Sequence, residues 1–349
     1  MRFTIMTKYR FQDDYSEGCH PKVLEILQTT NMVQQQGYGY DEYSQKAKEL
    51  IKAQMQTENS LVYFVSGGTQ ANLIVISSLL RPHEAVISAD TGHINTHETG
   101  AIENTGHKVL ACHSADGKLK ISDIQFQLDY HGQDPHMVKP RLVYISNSTE
   151  LGTVYNKSEL IELYSFCQSN NLLLFVDGAR LGAALTSADN DISLKDMGIY
   201  TDVFYIGGTK NGALLGEAIV INNMDLQLDF EYYLKQKGAL TSKSRTIGIQ
   251  FLALFQDDLF YNIASHANKM ASTIAYALKE KGVEFLVEPM SNQLFPIFSN
   301  ATIAFLKKNY EFHIWEKYDD NSSVIRIVCS WATPKNIVDE FISDVIQKV

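Results

Sequence analysis

Short, almost entirely apolar segments recur along this chain and alternate with segments of helical pattern. The strand-like runs are 61–65 (LVYFV), 85–89 (AVISA), 141–146 (RLVYIS), 172–176 (LLLFV), 203–206 (VFYI) and 218–222 (AIVIN). Strands that are apolar throughout, with helices between them, are typical of a parallel sheet covered on both faces. The pattern therefore predicts an α/β fold, in which ligands bind outside the carboxyl ends of the strands.

The order of elements changes beyond about Phe255. Helical patterns are predicted at 41–55, 67–80, 95–104, 266–281 and 334–349, the last with Thr333 as its cap and Pro334 at its first position. Strand-like pieces lie around Phe295, Ile314 and 325–328. We expect a large domain at 41–255, a smaller α+β domain at 256–349, and an N-terminal segment, 1–40, that packs with the smaller domain.

Charge and cysteine content exclude several classes of protein. The 349 residues carry 30 basic and 40 acidic side chains, a net charge of −10, which argues against binding to nucleic acid or anionic membranes. No apolar run approaches a membrane span, and the N-terminus lacks the apolar core of a signal peptide. The cysteines are scattered without metal-ligand spacing, so we expect buried free thiols, no metal, and a cytoplasmic protein.

The first polar cluster follows the strand-like run at 61–65. Ser66, Gly67, Gly68 and Thr69 lie at the start of the helix predicted at 67–80. Glycines and hydroxyl groups before a helix leave free N–H groups at its positive end, which suits an anion such as a phosphate. The alternative is a simple turn between a strand and a helix.

The second cluster follows the run at 172–176. Asp177 ends a strand that should be buried, and an ionised group there is costly unless it is paired. A protonated pyridine nitrogen would pair with it, and Arg180 could bind a substrate carboxylate. The alternatives are a buried salt bridge between these two residues and a turn capped by the aspartate.

The third cluster follows the run at 203–206. Lys210 lies in the glycine-rich loop Gly207-Gly208-Thr209-Lys210-Asn211-Gly212. In a dry pocket a lysine can lose its proton and attack an aldehyde. A solvated loop lysine is the alternative, but all three clusters fall at the predicted ligand-binding edge of one sheet.

At these residues the chain resembles the threonine aldolase and β-eliminating lyase family of pyridoxal-phosphate enzymes. The resemblance covers nearly the whole chain and is carried by Gly37-Tyr38-Gly39, Gly68-Thr69-Gln70-Ala71-Asn72, Asp177-Gly178-Ala179-Arg180 and Thr209-Lys210-Asn211-Gly212. It implies fold type I, with a mostly parallel sheet of the seven-stranded type in the large domain.

The resemblance also implies a role for each matching position. Lys210 would form the Schiff base with pyridoxal 5'-phosphate, Asp177 would pair with the ring nitrogen, and His93 would stack on the ring. Gly68 and Thr69 would hold the phosphate. Arg180 and Arg326 would bind the substrate carboxylate, and Arg245 would reach the phosphate of a neighbouring subunit, in a homodimer or homotetramer with shared active sites.

Three stretches depart from the family pattern. Glu150, in Asn147-Ser148-Thr149-Glu150-Leu151, replaces a histidine near the substrate hydroxyl, and we expect it to stay ionised beside a cationic cofactor. The N-terminal Arg-Ser-Asp becomes Gln12-Asp13-Asp14, with Asp13 as the candidate substrate-binding residue. A triple glycine before Arg245 becomes Gly238-Ala239-Leu240. These changes concern the substrate side chain more than the cofactor.

The reaction that the resemblance implies is the retro-aldol cleavage of threonine or a related β-hydroxy-α-amino acid to glycine and an aldehyde. Glu150 or His93 would take the proton of the β-hydroxyl group. A β-eliminating lyase and an aminotransferase could use the same residues, and a non-catalytic protein that binds the cofactor is a further alternative. The sequence leaves open the substrate side chain, the stereochemistry at the β-carbon, and the choice between dimer and tetramer.

Overall fold

The computed structural model describes residues 8–132 and 134–348. The strands are β1 (Tyr9–Arg10), β2 (Leu61–Val65), β3 (Glu84–Ala89), β4 (Val109–Cys112), β5 (Lys139–Ser146), β6 (Leu173–Asp177), β7 (Val203–Gly207), β8 (Glu217–Ile221), β9 (Gln293–Leu294), β10 (Ile297–Ser299), β11 (Tyr310–Glu311), β12 (His313–Lys317) and β13 (Ser322–Val328).

The helices alternate with the strands in the first two thirds of the chain. They are α1 (Pro21–Thr30), α2 (Glu42–Met55), α3 (Gly68–Leu79), α4 (His93–Thr96), α5 (Ile121–His131), α6 (Lys157–Ser169), α7 (Leu181–Leu185), α8 (Leu194–Ile199), α9 (Phe230–Gln236), α10 (Arg245–Phe255), α11 (Leu259–Glu280), α12 (Asn300–Leu306) and α13 (Lys335–Ile346). Short 3-10 helices lie at Glu103–Thr105 and Met224–Leu226.

A seven-stranded sheet has the order β2-β8-β7-β6-β5-β3-β4. Only β8 runs antiparallel to its neighbours, so the prediction of a mostly parallel sheet is confirmed. As β2 and β7 are both antiparallel to β8, they run in the same direction. The carboxyl ends of β2, β6 and β7 and the start of β8 therefore meet at one edge of the sheet.

The sheet separates two apolar cores because alternate side chains point to opposite faces. Val143 and Ile145 of β5 belong to one core, with α2 and α10, whereas Leu142 and Tyr144 belong to the other, with α3. Burial on both faces explains why the sequences of these strands are continuously apolar.

Capping side chains determine where helices start. At α2 the side chain of Asp41 accepts a hydrogen bond from the Ser44 N–H (2.8 Å).

The C-terminal part is built around an antiparallel sheet. Its order is β10-β13-β12, and β9 also pairs with β13. From the N-terminal segment, β1 pairs with β11 and Phe11 joins the apolar core of this part. In contrast, α1 packs against α10 of the preceding part. The N-terminal segment thus contacts both parts, and residues 1–7 of it lie outside the described residues.

Three sequence-based helix boundaries are wrong. The helix predicted at 266–281 starts earlier, because α11 begins at Leu259. No single helix covers 95–104, because Thr99 (φ 53°) and Gly100 (φ 72°) adopt left-handed conformations between α4 and the following 3-10 helix. The last helix begins at Lys335, with Pro334 at the cap position, since the Thr333 hydroxyl accepts a hydrogen bond from the Ser330 N–H (2.7 Å) instead of capping it. Val349 lies outside the described residues.

The four cysteines are free and buried, as the sequence predicts. Within 8–132 and 134–348, the helices are too short or too polar to cross a lipid bilayer.

Candidate active site

A cavity of about 600 Å³ opens at the carboxyl edge of the seven-stranded sheet. It brings together most of the residues that the sequence selected from distant segments, namely Gly68, Thr69, His93, Glu150, Asp177, Arg180, Lys210 and Arg326. Asp13 and Arg245 are absent from its lining. Tyr15, and His313 and Trp315 of β12, also line the cavity.

An anion-binding turn lies between β2 and α3. Ser66, Gly67, Gly68 and Thr69 line the cavity, and α3 begins at Gly68, so its unpaired N–H groups lie at the positive end of a twelve-residue helix. A Cβ atom at Gly67 would meet no atom within 4 Å, whereas one at Gly68 would lie 2.9 Å from the Tyr205 hydroxyl. The turn therefore leaves room for an anion while its backbone packs closely on β7.

Asp177 ends β6 as a buried carboxylate held by several donors. Its Oδ1 accepts from the Ala179 N–H (2.9 Å), and its Oδ2 accepts from the Tyr144 hydroxyl and from Asn72 Nδ2 (3.2 Å). Burial disfavours the charge, but His93 and the hydroxyl groups of Tyr144 and Tyr205 outweigh it and lower the pKa of Asp177. Asp177 can therefore supply a permanent negative charge at the cavity.

Glu98 connects this carboxylate with His93. Its Oε1 accepts from Asn72 Nδ2 (2.7 Å) and lies 2.9 Å from His93 Nδ1. Asn72 thus bridges two buried carboxylates, Asp177 and Glu98. We assign the proton of Nδ1 to this contact, which leaves Nε2 of His93 as the ring nitrogen that can exchange a proton with a ligand.

Lys210 follows β7 in a loop that packs tightly on the loop after β6. A Cβ atom at Gly207 would lie 2.2 Å from the Ala179 carbonyl oxygen, so this close approach requires glycine. Burial, followed by the charge of Arg180, lowers the pKa of Lys210. Its Nζ has no hydrogen-bond partner in the described part of the chain, and it lines the cavity as an amine free to react.

The two arginines are fixed by different partners. Arg180 forms a bidentate pair with Asp14, whose Oδ2 lies 2.7 Å from Nε and whose Oδ1 lies 3.0 Å from Nη2. Arg326 donates from Nε (3.1 Å) and Nη2 (2.6 Å) to Gln293 Oε1. Burial, and then Arg180, lower the pKa of Arg326 to about 10. In both guanidinium groups Nη1 has no partner among the described residues, so each can bind an incoming carboxylate.

Glu150 accepts hydrogen bonds from the His93 N–H (2.9 Å) and the Ser146 hydroxyl (2.7 Å). Burial, with a further contribution from Asp177, raises the pKa of this carboxyl group despite these donors. The pKa rises because the protein around Glu150 removes it from water, and the expectation that it stays ionised beside a cationic cofactor stays a prediction. A pKa closer to neutral pH makes the carboxyl group better suited to act as a general base.

Two sequence candidates lie elsewhere. Asp13 accepts from the Ser16 hydroxyl (2.8 Å) outside the cavity lining, and Asp14 contacts Arg180 instead. Arg245 donates to the carbonyl oxygens of Thr30 (2.8 Å) and Val33 (2.6 Å), near the end of α1. Its contact with a neighbouring subunit stays a prediction.

Sequence reasoning missed several residues that complete the site. They are Asp14, Asn72, Glu98, Tyr144, Tyr205 and Glu217. Glu217 had a readable signal, because it is an acidic residue directly before an otherwise apolar strand, and Asn72 and Asp14 lie in the stretches that were compared with the family. Asp14 and Arg180 are 166 positions apart, and nothing in the sequence around either residue predicts their contact.

Comparisons with known proteins agree on one family. The family model described as "Beta-eliminating lyase" matches residues 13–307. A low specificity L-threonine aldolase from a Pseudomonas species is 33% identical over 343 residues, 96% of each chain. The solved structure of a Leishmania major threonine aldolase is 44% identical, with a TM-score of 0.95 over 97% of this chain and 99% of that one.

A more distant solved structure shares the fold. An aspartate aminotransferase from Thermus thermophilus has a TM-score of 0.71 at 11% identity and covers 99% of this chain and 92% of its own.

The pair of Asp14 with Arg180 should stabilise the fold in a pH-dependent way. Burial opposes the charge of Asp14, but Arg180 and Lys210 outweigh it and lower its pKa. Asp14→Asn leaves a buried guanidinium unpaired, so the free energy of unfolding should fall by about 3–5 kcal/mol at pH 7. A lowered pKa stabilises the fold above the unfolded value of about 3.9, and the effect disappears as the pH falls through the folded value.

Urea unfolding of the two proteins measures this difference. The gap should stay constant from pH 7 to about pH 5 and narrow only below about pH 4. Asp13→Asn is the matched control and should change stability by less than about 0.5 kcal/mol. An equal loss in both variants would contradict the assignment of the pair to Asp14.

Proposed function

Because this chain belongs to the β-eliminating lyase family, we propose that it is an aldolase that cleaves threonine, or a related β-hydroxy-α-amino acid, to glycine and an aldehyde. It is a lyase, and pyridoxal 5'-phosphate is its cofactor. The names of its relatives, threonine aldolases from Pseudomonas and Leishmania major, support this choice of substrate.

The residues around the cavity fit that cofactor. The turn before α3 suits a phosphate, since it offers the free N–H groups of a helix start and glycines without side chains. The lowered pKa of Asp177 suits a protonated ring nitrogen, which a neutral acid would not hold. His93 is fixed by Glu98 beside the cavity and can cover the ring. When bound, the cofactor supplies an aldehyde carbon and an electron-withdrawing ring.

One observation carries the proposal. A lysine whose pKa is lowered, an anionic aspartate, and two arginines, each with Nη1 free, line the same cavity. A non-catalytic binding protein would need the anion site alone. The full set supports a site that holds an amino acid by its carboxylate next to a reactive amine.

In our proposal the arginines orient the substrate. Arg180 and Arg326 bind the α-carboxylate through Nη1, and Asp14 and Gln293 hold the other guanidinium nitrogens in place. Binding of the carboxylate at both arginines would limit how the bonds at Cα can be oriented towards the cofactor. Orientation of this kind decides which bond at Cα breaks.

Glu150 and His93 provide the acid–base chemistry. Glu150, with its raised pKa, takes the proton of the β-hydroxyl group, directly or through Nε2 of His93. Loss of that proton turns the hydroxyl group into the carbonyl group of the leaving aldehyde while the Cα–Cβ bond breaks. Cα then takes up a proton, which gives glycine.

The family name also favours a second candidate, β-elimination. That reaction would start with Lys210 removing the proton from Cα, and it would release a keto acid and ammonia instead of glycine. The two reactions differ in product, so product analysis separates them.

Lys210 should be the residue that holds the cofactor. Borohydride reduction of the purified holoenzyme should fix the cofactor to the peptide that contains Lys210, as measured by mass spectrometry. Incubation with threonine should release acetaldehyde and glycine in equal amounts. Label on another lysine would contradict the site, whereas keto acid and ammonia without aldehyde would favour β-elimination.

Substitution of Glu150 should separate the two proton transfers. Glu150→Gln should slow threonine cleavage by about 10²–10⁴-fold, the usual contribution of a general base. Exchange of the α-proton of glycine with deuterated water should continue, since it needs no base at a β-hydroxyl group. Nuclear magnetic resonance follows the exchange. An equal fall in both rates would mean that Glu150 maintains the shape of the cavity, and two unchanged rates would leave the role to His93 or water.

We further propose a homo-oligomer, dimer or tetramer, whose active sites are shared between subunits. Arg245 lies outside the cavity of its own chain, next to the end of α1, which supports a role across an interface. Four free, buried cysteines support a reducing compartment such as the cytoplasm.

Mixed oligomers test the shared site. Lys210→Ala should be inactive and Arg245→Ala weakly active, because the first lacks the reactive amine and the second a phosphate-binding cation. After subunit exchange, a hybrid combines an intact Lys210 from one chain with an intact Arg245 from the other. Aldehyde release should then rise above the sum of the separate variants. Proven exchange without this rise would place the action of Arg245 within its own chain.

A further inference from the structure

A buried carboxyl group that the proposed reaction does not use lies beside the lysine loop. Glu217 is the first residue of β8, is 4% exposed, and lines the cavity. Within the described residues no cation lies close enough to form an ion pair with it. An unpaired buried carboxyl group is costly when ionised, so its presence in a cavity indicates a function.

The sheet places Glu217 between the two loops that should hold the cofactor. In the strand register it is paired with Val65, which precedes the anion turn, and with Gly207, which precedes the lysine loop. Its Oε2 accepts from the Gly208 N–H (2.9 Å), and its carboxyl group also bonds the Thr209 hydroxyl. The carboxyl group is thus attached to the two residues directly before Lys210.

Other titratable groups act on this pair from β6 and β7. Asp177 from β6, Tyr205 from β7 and Lys210 itself interact with Glu217. Burial raises the pKa of Glu217 to about 8, and Lys210 acts in the opposite direction. On Lys210, burial and Arg180 favour the neutral amine, whereas Asp14, Asp177 and Glu217 favour the ammonium.

Anchoring of the loop does not by itself explain an acid at this position. A glutamine would accept from the Gly208 N–H equally well and would carry no penalty for burial of a charge. What an acid adds is a charge that can change near neutral pH, in the cavity that also holds the Lys210 amine. Groups that interact in this way titrate as a pair.

We propose that the charge of Glu217 sets whether Lys210 is an amine or an ammonium. The ionised carboxyl group favours the ammonium and the protonated one favours the amine. This inference rests on the proposed function, in which Lys210 reacts with the cofactor as an amine. The protonation of Lys210 then depends on a carboxyl group held by the loop that carries it.

The reaction of Lys210 with an aldehyde as a function of pH tests the proposal. The probe is pyridoxal, which lacks the phosphate and its ionisation, added to full-length protein freed of cofactor with hydroxylamine. The rate of condensation, followed by absorbance, rises as Lys210 loses its proton. In Glu217→Gln the midpoint should move to lower pH by about one unit, because a nearby anion that favours the ammonium is removed. Glu217→Asp keeps a carboxyl group and should return the midpoint towards that of the wild type.

The controls separate this role from simple loop anchoring. A structural role would lower the plateau rate without moving the midpoint. Glu84→Gln removes a buried carboxyl group at the opposite edge of the same sheet and should leave the midpoint unchanged. An identical midpoint in wild type and Glu217→Gln would overturn the proposal. Borohydride labelling of the same samples is a separate test: label away from Lys210 would contradict the proposed function.

Discussion

The charge of Asp177 has to be maintained at the buried end of β6, and much of the polar structure of the cavity meets that requirement. A carboxylate in such a place is stable only with strong donors around it. Tyr144, Asn72 and the Ala179 N–H provide them, and Asn72 extends the network to Glu98 and so to His93. The orientation of His93 thus depends on the network that stabilises Asp177.

The carboxyl groups of the cavity fall into two kinds. Asp14 and Asp177 have lowered pKa values, whereas Glu150 and Glu217 have raised ones. The lowered pair act as fixed charges, Asp14 through its ion pair with Arg180 and Asp177 through its hydrogen-bond donors and His93. The raised pair form no ion pair among the described residues and can carry protons. Environments that separate pKa values in this way are how a protein assigns acid–base roles.

The sequence predicted the sheet and the residues at its strand ends because both depend on local patterns. Continuous apolar runs identify buried strands, and Asp177 and Lys210 follow two of them directly. The sequence could not predict the partners of these residues, because tertiary packing brings Asp14, Glu98 and Asn72 to the site. The sequence could not predict the burial that raises the pKa of Glu150 either, because burial is a property of the folded chain. Asp13 and Asp14 differ by one position, and only the structure distinguishes them.

The junction around Asp14 has a consequence for biosynthesis. This residue joins Arg180, from the middle of the chain, to Asn292, and the neighbouring Phe11 carbonyl oxygen accepts from the Val328 N–H (2.9 Å). Residues 11–14 are therefore held by residues that are translated much later than they are. Although the seven-stranded sheet is complete at Ile221, the nascent polypeptide cannot close its carboxylate-binding pocket until Asn292 and Arg326 have been translated.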